Sequence, residues 1–176
     1  MSLLRVPVNS SDHVQGPENA PVTLLEYGDY ECPHCGAMHP VVQRVQRCFS
    51  SRLGLAYRHF PLTEIHEYAE AAAETAEYAG FYGRFWEAHD MLFQNQDRLG
   101  LPLFLAIVRY FGLSEQGLRD ALAHGTFADK VRRDFLTGVN GTPTFFINNL
   151  RYDGPASYEA LVGAIAAQLE YAPTAA

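Results

Sequence analysis

An apolar, β-branched segment, Val22-Thr23-Leu24-Leu25-Glu26-Tyr27, runs through Gly28 and Asp29 into Cys32-Pro33-His34-Cys35 and straight on into a helical pattern. No other feature constrains the fold as strongly. The segment follows Pro21, and its alternation predicts a buried strand that ends near Gly28 and Asp29. From Pro33, a residue favoured in a first helical turn, Ala37, Met38, Val41, Val42 and Val45 recur at helical spacing up to about Cys48. Leu53 to Phe60 supplies a second strand, stopped by Pro61. Strand, helix and strand in this order predict a β-α-β unit with a right-handed crossover and a sheet that is at least partly parallel.

From about Thr63 to Thr137 the pattern is helical throughout. Ile65, Ala69, Ala72, Ala73 and Ala76 mark one helix closed by Gly80, and Phe85, Trp86, His89, Leu92 and Phe93 mark another. A third is predicted over Pro102 to Phe111, ended at Gly112, a fourth is capped by Ser114, and a fifth runs from Thr126 to Thr137. Thr144 to Ile147 then predicts a strand, Asn148 and Asn149 a turn, and Tyr152 the start of a short return strand. Ser157 caps a last helix through Tyr158, Leu161, Val162, Ile165 and Leu169. No repeat and no low-complexity linker divides the chain.

With 176 residues, 48% of them hydrophobic, the chain is long enough for one sizeable core. A net charge of −7 argues against nucleic-acid partners and against a basic membrane-surface patch. The longest apolar runs, such as Leu101 to Val108, fall short of the about 20 residues needed to span a bilayer, so no membrane insertion is expected. No basic, then apolar, then small-residue leader is visible before Asn9. A cytoplasmic location is therefore expected for the chain as given, and a periplasmic or membrane-fused one if a leader or preceding domain is missing.

Three cysteines, Cys32, Cys35 and Cys48, are too few for a disulfide-stapled scaffold. Two of them, three residues apart in a first helical turn, can close a small disulfide loop and reopen it. The helix N-terminus offers partial positive charge and unpaired N–H groups, both of which stabilise a thiolate. Cys32 is therefore expected to be the acidic, attacking thiol, and Cys35, one turn inside, the more buried resolving one. Such motifs lower a cysteine pKa from about 8.5 to between about 3.5 and 7, with the intervening dipeptide helping to set the value. His34 can add charge or a donor to Cys32, and Pro33 removes one N–H. Half of a zinc site is the competing reading, but a structural zinc needs four ligands, and Cys48, His39 and His59 do not supply a second pair. Cys48 itself is expected to be half-buried near a helix end.

Gly141-Thr142-Pro143-Thr144 lies just before a predicted strand. A proline entering a buried strand is costly unless a tight turn needs it, and the Thr142-Pro143 bond is predicted to be cis.

Three segments carry a resemblance over nearly the whole chain: DHVQGPENAPVTLLEYGDYECPHCG; YRHFPLTEIHEYAEAAAETAEYAG with GRFWEAHDMLF; and GVNGTPTFFINNLRYDG. They resemble the DsbA-like group of the thioredoxin superfamily, including the thioredoxin-like domain fused to some NhaA-type Na⁺/H⁺ antiporters. The resemblance implies an α/β, thioredoxin-like fold with a central mixed sheet, one domain over 1–176 interrupted by a helical insertion at about 63–137. It implies a nucleophile at Cys32, a resolving thiol at Cys35, and a cis-proline loop at Thr142 and Pro143 along which the substrate chain lies. Glu26 matches the family's buried acid beneath the active site and is a candidate proton shuttle for Cys35. Strongly oxidising members usually place valine where this chain has Thr142, so oxidase strength does not carry over.

These observations predict a thiol–disulfide oxidoreductase that exchanges a Cys32–Cys35 disulfide with protein or peptide thiols and works with a separate redox partner. No organic cofactor and no metal are needed. The alternative is a non-enzymatic redox-sensing or interaction module, part of a transporter fusion. Tyr68, Tyr78, Phe81, Tyr82, Phe85, Trp86 and Phe93 are expected mostly in the core of the helical block.

Overall fold

The computed structural model describes residues 2–17 and 19–171; Met1, Glu18 and 172–176 lie outside the described residues. It divides into two compact units, one containing residues up to Tyr27, Ala37–Arg58 and the chain from Pro143 on, the other Gly28–Gly36 and His59–Thr142.

The first unit is built on a mixed five-stranded sheet in the order β1-β3-β2-β4-β5. Its strands are β1 (His13–Gln15), β2 (Val22–Gly28), β3 (Leu53–His59), β4 (Thr144–Ile147) and β5 (Leu150–Tyr152). The pairs β1·β3, β2·β4 and β4·β5 are antiparallel, with Leu24 opposite Ile147 and Glu26 opposite Phe145. β3 and β4 are buried along their whole length, which is why their sequences lack the apolar–polar alternation of a strand with one solvated face. The edge strands β1 and β5 have three residues each, short enough to leave little unpaired backbone. Helices α1 (Pro33–Phe49) and α7 (Tyr158–Tyr171) complete these elements, and Ser157 Oγ caps α7 by accepting from Ala160 N–H at 3.3 Å. Gly16 has φ +108°, and a Cβ there would stand 2.7 Å from the Leu53 carbonyl oxygen, so the link out of β1 requires glycine.

The second unit is helical: α2 (Ala69–Phe81), α3 (Phe85–Gln94), α4 (Leu101–Tyr110), α5 (Glu115–His124) and α6 (Ala128–Leu136). α2 presents Ala69, Ala72, Ala73, Ala76 and Ala79 inward, small enough for α3, α5 and α6 to pack around it. Leu92, Phe104, Ile107, Val108 and Leu118 fill the core. Ser114 caps α5 as expected, its Oγ accepting from Gly117 N–H.

The boundaries differ from expectation in several places: β5 ends, rather than begins, at Tyr152. Ile65 is outside any helix and 73% exposed, because residues 62–66 turn on the Leu62 carbonyl, which accepts from both Ile65 and His66 N–H. α2 runs past Gly80 to Phe81, and Gly83, at φ +75°, lies at its exit. β1 and a bridge between Leu3 and Leu150 have no counterpart in the sequence pattern, since three polar-flanked residues carry no periodicity.

Arg58 on β3 is 1% exposed and holds the N-terminal arm. Its guanidinium donates to both Asp12 carboxylate oxygens at 2.7 Å, to the Val6 and Pro7 carbonyls and to Tyr27 Oη. Burial opposes that charge, and the bonds to Asp12 and Tyr27 more than offset it, so the pKa of Arg58 lies above its ordinary value. Breaking one side of a buried pair leaves an uncompensated charge, at about 3–5 kcal/mol. Asp12→Ala should lower the urea-unfolding free energy by about that amount, and a loss below about 1 kcal/mol would show the pair to be no more than a surface contact.

Candidate functional site

The candidate site forms where β2 hands the chain to α1, and Asp29 fixes that handover. This carboxylate is 2% exposed. It accepts from Glu31 N–H at 2.7 Å and Leu62 N–H at 2.9 Å, and its Oδ2 lies 2.7 Å from His66 Nδ1. Cys32 N–H donates to the Asp29 carbonyl, and Gly36 N–H to the Cys32 carbonyl as the first helical bond. Tyr30 is held by His89, whose Nδ1 lies 3.0 Å from the phenol oxygen, and its ring packs against Phe93 and His59.

Cys32 and Cys35 are both buried free thiols, at 4% and 0% exposure, in the order expected for an outer and an inner cysteine. The Cys32 Sγ–H points at the Thr142 carbonyl oxygen, 3.6 Å away, so Thr142 meets the thiol across 110 residues of chain. The Cys32 pKa is lowered from its ordinary 9.0 to about 5. The largest cause is the hydrogen bond from the Cys35 thiol; burial opposes it, and the Thr142 side chain and the Cys35 and His34 N–H groups add to the lowering. The Thr142 hydroxyl is buried beside that thiol and has no other hydrogen-bond partner.

Other expected residues fall as follows. Pro33 and His34 are exposed at the start of α1, and the contribution of His34 comes through its main-chain N–H, with the imidazole at the surface. Glu26 is 3% exposed on β2, which excludes a solvent-facing strand acid. Pro143 follows Thr142 directly and leads into β4. Cys48 is exposed, correcting the half-buried expectation: it lies near the end of α1, beside the Tyr158 phenol. Among the aromatic residues, Tyr78, Phe85 and Phe93 are buried, whereas Phe81 and Tyr82 are mostly exposed.

Several site features have no sequence motif behind them. Asp29 is one, and Gln96 is another, its Nε2 donating to the carbonyls of Tyr30 and Cys32. A surface pocket of about 340 Å³ is lined by Phe60, Pro61, Leu62, Thr63, Glu64, Ile65, Phe135 and Asn140, and Asn140 stands two positions before Thr142 in the chain. His59, Glu77 and Asp134 form a buried cluster with metal-ligand spacing. Lys130 Nζ already occupies it, 2.6 Å from Asp134 and 3.8 Å from Glu77, and supplies the positive charge there. Among the described residues, no group of three such ligands includes Cys32 or Cys35, so the zinc reading lacks a third ligand at that position.

A dithiol in the first turn of a helix, fed by a central strand and met by a Thr-Pro loop, defines the class of thioredoxin-like proteins. The thioredoxin family model matches residues 8–167, and the chain belongs to that family. Its fold is that of BdbD from Bacillus subtilis (TM-score 0.85, 23% identity, covering 93% of this chain and 96% of that one). It is also that of the thiol-disulfide exchange protein alpha-DsbA2 from Wolbachia pipientis (TM-score 0.75, 20% identity, 90% and 88% covered). In sequence, the chain is 42% identical over 167 residues to the Na(+)/H(+) antiporter NhaA 3 of Salinispora tropica, matching 92% of this chain and 26% of the relative. It thus spans about a quarter of the length of that curated relative. Among the described residues, no helix is long and apolar enough to cross a membrane.

A depressed thiol pKa stabilises the folded dithiol in its ionised form, and the unfolded chain loses that gain. In the dithiol form, stability from Cys32 is therefore complete above 9.0 and lost as pH falls through about 5. The melting temperature of the reduced protein should rise relative to that of the Cys32–Cys35 disulfide form between those pH values, and a pH-independent difference would contradict the depressed pKa.

Proposed function

We propose that this chain is a thiol–disulfide oxidoreductase acting on protein thiols, with Cys32 as nucleophile and Cys35 as resolving thiol. The observation that carries the proposal is the Cys32 thiol itself: buried beside Cys35, aimed at the Thr142 carbonyl, and acidified to about 5. A thiol with that pKa is ionised at neutral pH and is a good leaving group. The similar alpha-DsbA2 of Wolbachia pipientis is a thiol-disulfide exchange protein, in agreement with this chemistry.

In the oxidising direction a client thiolate attacks Cys32 Sγ of the Cys32–Cys35 disulfide, and the S–S bond breaks with its electron pair on Cys35. A second client thiolate then attacks the client sulfur of the mixed disulfide, and Cys32 leaves as thiolate. The client loses two electrons, the Cys32/Cys35 pair gains them, and a separate redox partner of the disulfide or quinone class must remove them. Glu26, buried on β2, is the proposed proton donor to the Cys35 thiolate. The client chain is proposed to lie along a cis Thr142-Pro143 loop, pairing its backbone with Thr142. The pocket that reaches Asn140, lined by Phe60, Leu62 and Ile65 as well as Glu64, is proposed to take a client side chain. We read the helical block at about 63–137 as an insertion into one thioredoxin-like domain.

A second reading follows from the antiporter relative, of which this chain matches only 26%. There the dithiol serves as a redox sensor for a transporter, switching slowly between two stable states. Insulin-disulfide reduction by dithiothreitol separates the two: sustained catalysis supports the enzyme, and a rate equal to dithiothreitol alone supports the sensor. Cys35→Ser should accumulate mixed disulfides through Cys32, and Cys32→Ser should trap nothing and return insulin reduction to the uncatalysed rate. Equal trapping by both variants would remove Cys32 from the nucleophile role.

A further inference from the structure

Gln96 opens a short 3₁₀ turn after α3, far in sequence from the cysteines. Its carboxamide has two N–H donors, and Nε2 uses them on the Tyr30 and Cys32 carbonyl oxygens, each at 2.8 Å. Those carbonyls belong to the Tyr30–Glu31 and Cys32–Pro33 peptides, one on each side of the nucleophile. A second observation points the same way. Gly36 is helical and has no left-handed φ to explain it, and glycine is a poor helix former. A Cβ there would collide with Gln96, meeting Oε1 first, then Cδ at 2.9 Å and Nε2 at 3.1 Å.

We propose that Gln96 is a positioning residue for the Cys32 thiol, clamping the peptide planes on both sides of the nucleophile, and that position 36 is glycine to admit its carboxamide. The consequence for catalysis rests on the exchange reading above. With both planes fixed, Sγ stays aimed at Thr142 and within reach of the His34 and Cys35 N–H groups that favour its ionised form. Gln96 is uncharged, so the clamp holds equally before and after the thiol ionises.

The test uses the reduced protein in a Cys48→Ser background, so that the exposed thiol does not report. Thiolate absorbance against pH and iodoacetamide alkylation at pH 5 both read Cys32 without any client. Gln96→Leu keeps the bulk and removes both donors; it should raise the Cys32 pKa by about 0.5–1 unit and slow alkylation about two- to five-fold. Gly36→Ala, which displaces an intact Gln96, should shift the pKa in the same direction. Gln96→Ala makes room for the new methyl group, so Gln96→Ala/Gly36→Ala should be no worse than Gln96→Ala alone. An unshifted pKa in both Gln96→Leu and Gln96→Ala, or strictly additive effects in the double variant, overturns the proposal. Should wild type fail to turn over insulin while these shifts appear, the exchange reading falls and the positioning role stands; normal turnover with no shift gives the reverse.

Discussion

The carboxylate of Asp29 is the interaction on which the geometry of the candidate site depends. A strand that ends in the core leaves backbone groups that must find partners, and the turn into α1 has room for few. Asp29 takes the Glu31 N–H, reaches the Leu62 N–H beyond the end of β3, and meets the His66 ring. One buried carboxylate thereby sets both the entry of the cysteine helix and the path of the loop after β3, which lines the surface pocket. The Glu31 side chain extends this by accepting from Tyr68 N–H, just ahead of α2. Ile65, held out of the helix by the same turn, is left at the surface as a pocket-lining residue.

The thiolate of Cys32 is stabilised without a cation. Every lowering contribution at this residue is a hydrogen bond, from the Cys35 thiol, the Thr142 side chain and the two N–H groups of the first helical turn. Lys130 is engaged elsewhere, with Asp134 and Glu77, and Arg84 and Arg109 pair with Glu87 and Glu115. Short-range donors held in a buried first turn are screened by salt far less than a surface ion pair. The chain carries a net charge of −7, and a thiolate that relied on long-range attraction would be disfavoured in that field. Oriented dipoles solve the problem locally, which explains why geometry at the start of α1 matters more here than overall charge.

What the sequence made legible was what is local. Cys32, Pro33, His34 and Cys35 announce themselves by spacing, Ser114 and Ser157 by the helices they cap, and Thr142 and Pro143 by standing before an apolar strand. Gln96 had no signal: its partners are main-chain carbonyls 66 and 64 residues away, and any residue has a carbonyl. Arg58 was hidden for the opposite reason, since a strand that looks half-polar in sequence is fully buried once Asp12 neutralises it. Asp29 had the composition of an ordinary turn. Gly36 came nearest to a visible clue, as a glycine inside a helix with no conformational need for one, though its cause lies on another element.

A donor that favours the thiolate over the thiol lowers the pKa and stabilises the dithiol over the disulfide by the same free energy, because a disulfide sulfur carries no charge to receive it. Attack and departure respond differently to this. Intrinsic nucleophilicity falls as pKa falls, with a Brønsted coefficient of about 0.4–0.5, so once the pKa is below the ambient pH further lowering slows attack. Leaving-group ability keeps improving. At neutral pH a Cys32 pKa of about 5 lies past the optimum for attack and well suited to departure. Within the exchange reading this favours the half-reaction in which a client thiolate displaces Cys32, the oxidation of client thiols. The Thr142 hydroxyl is the one side-chain donor to Cys32 outside the cysteine pair in this balance. Removing it would leave the main-chain donors in place, so within that reading the residue before Pro143 would adjust the potential of the couple without dismantling the site.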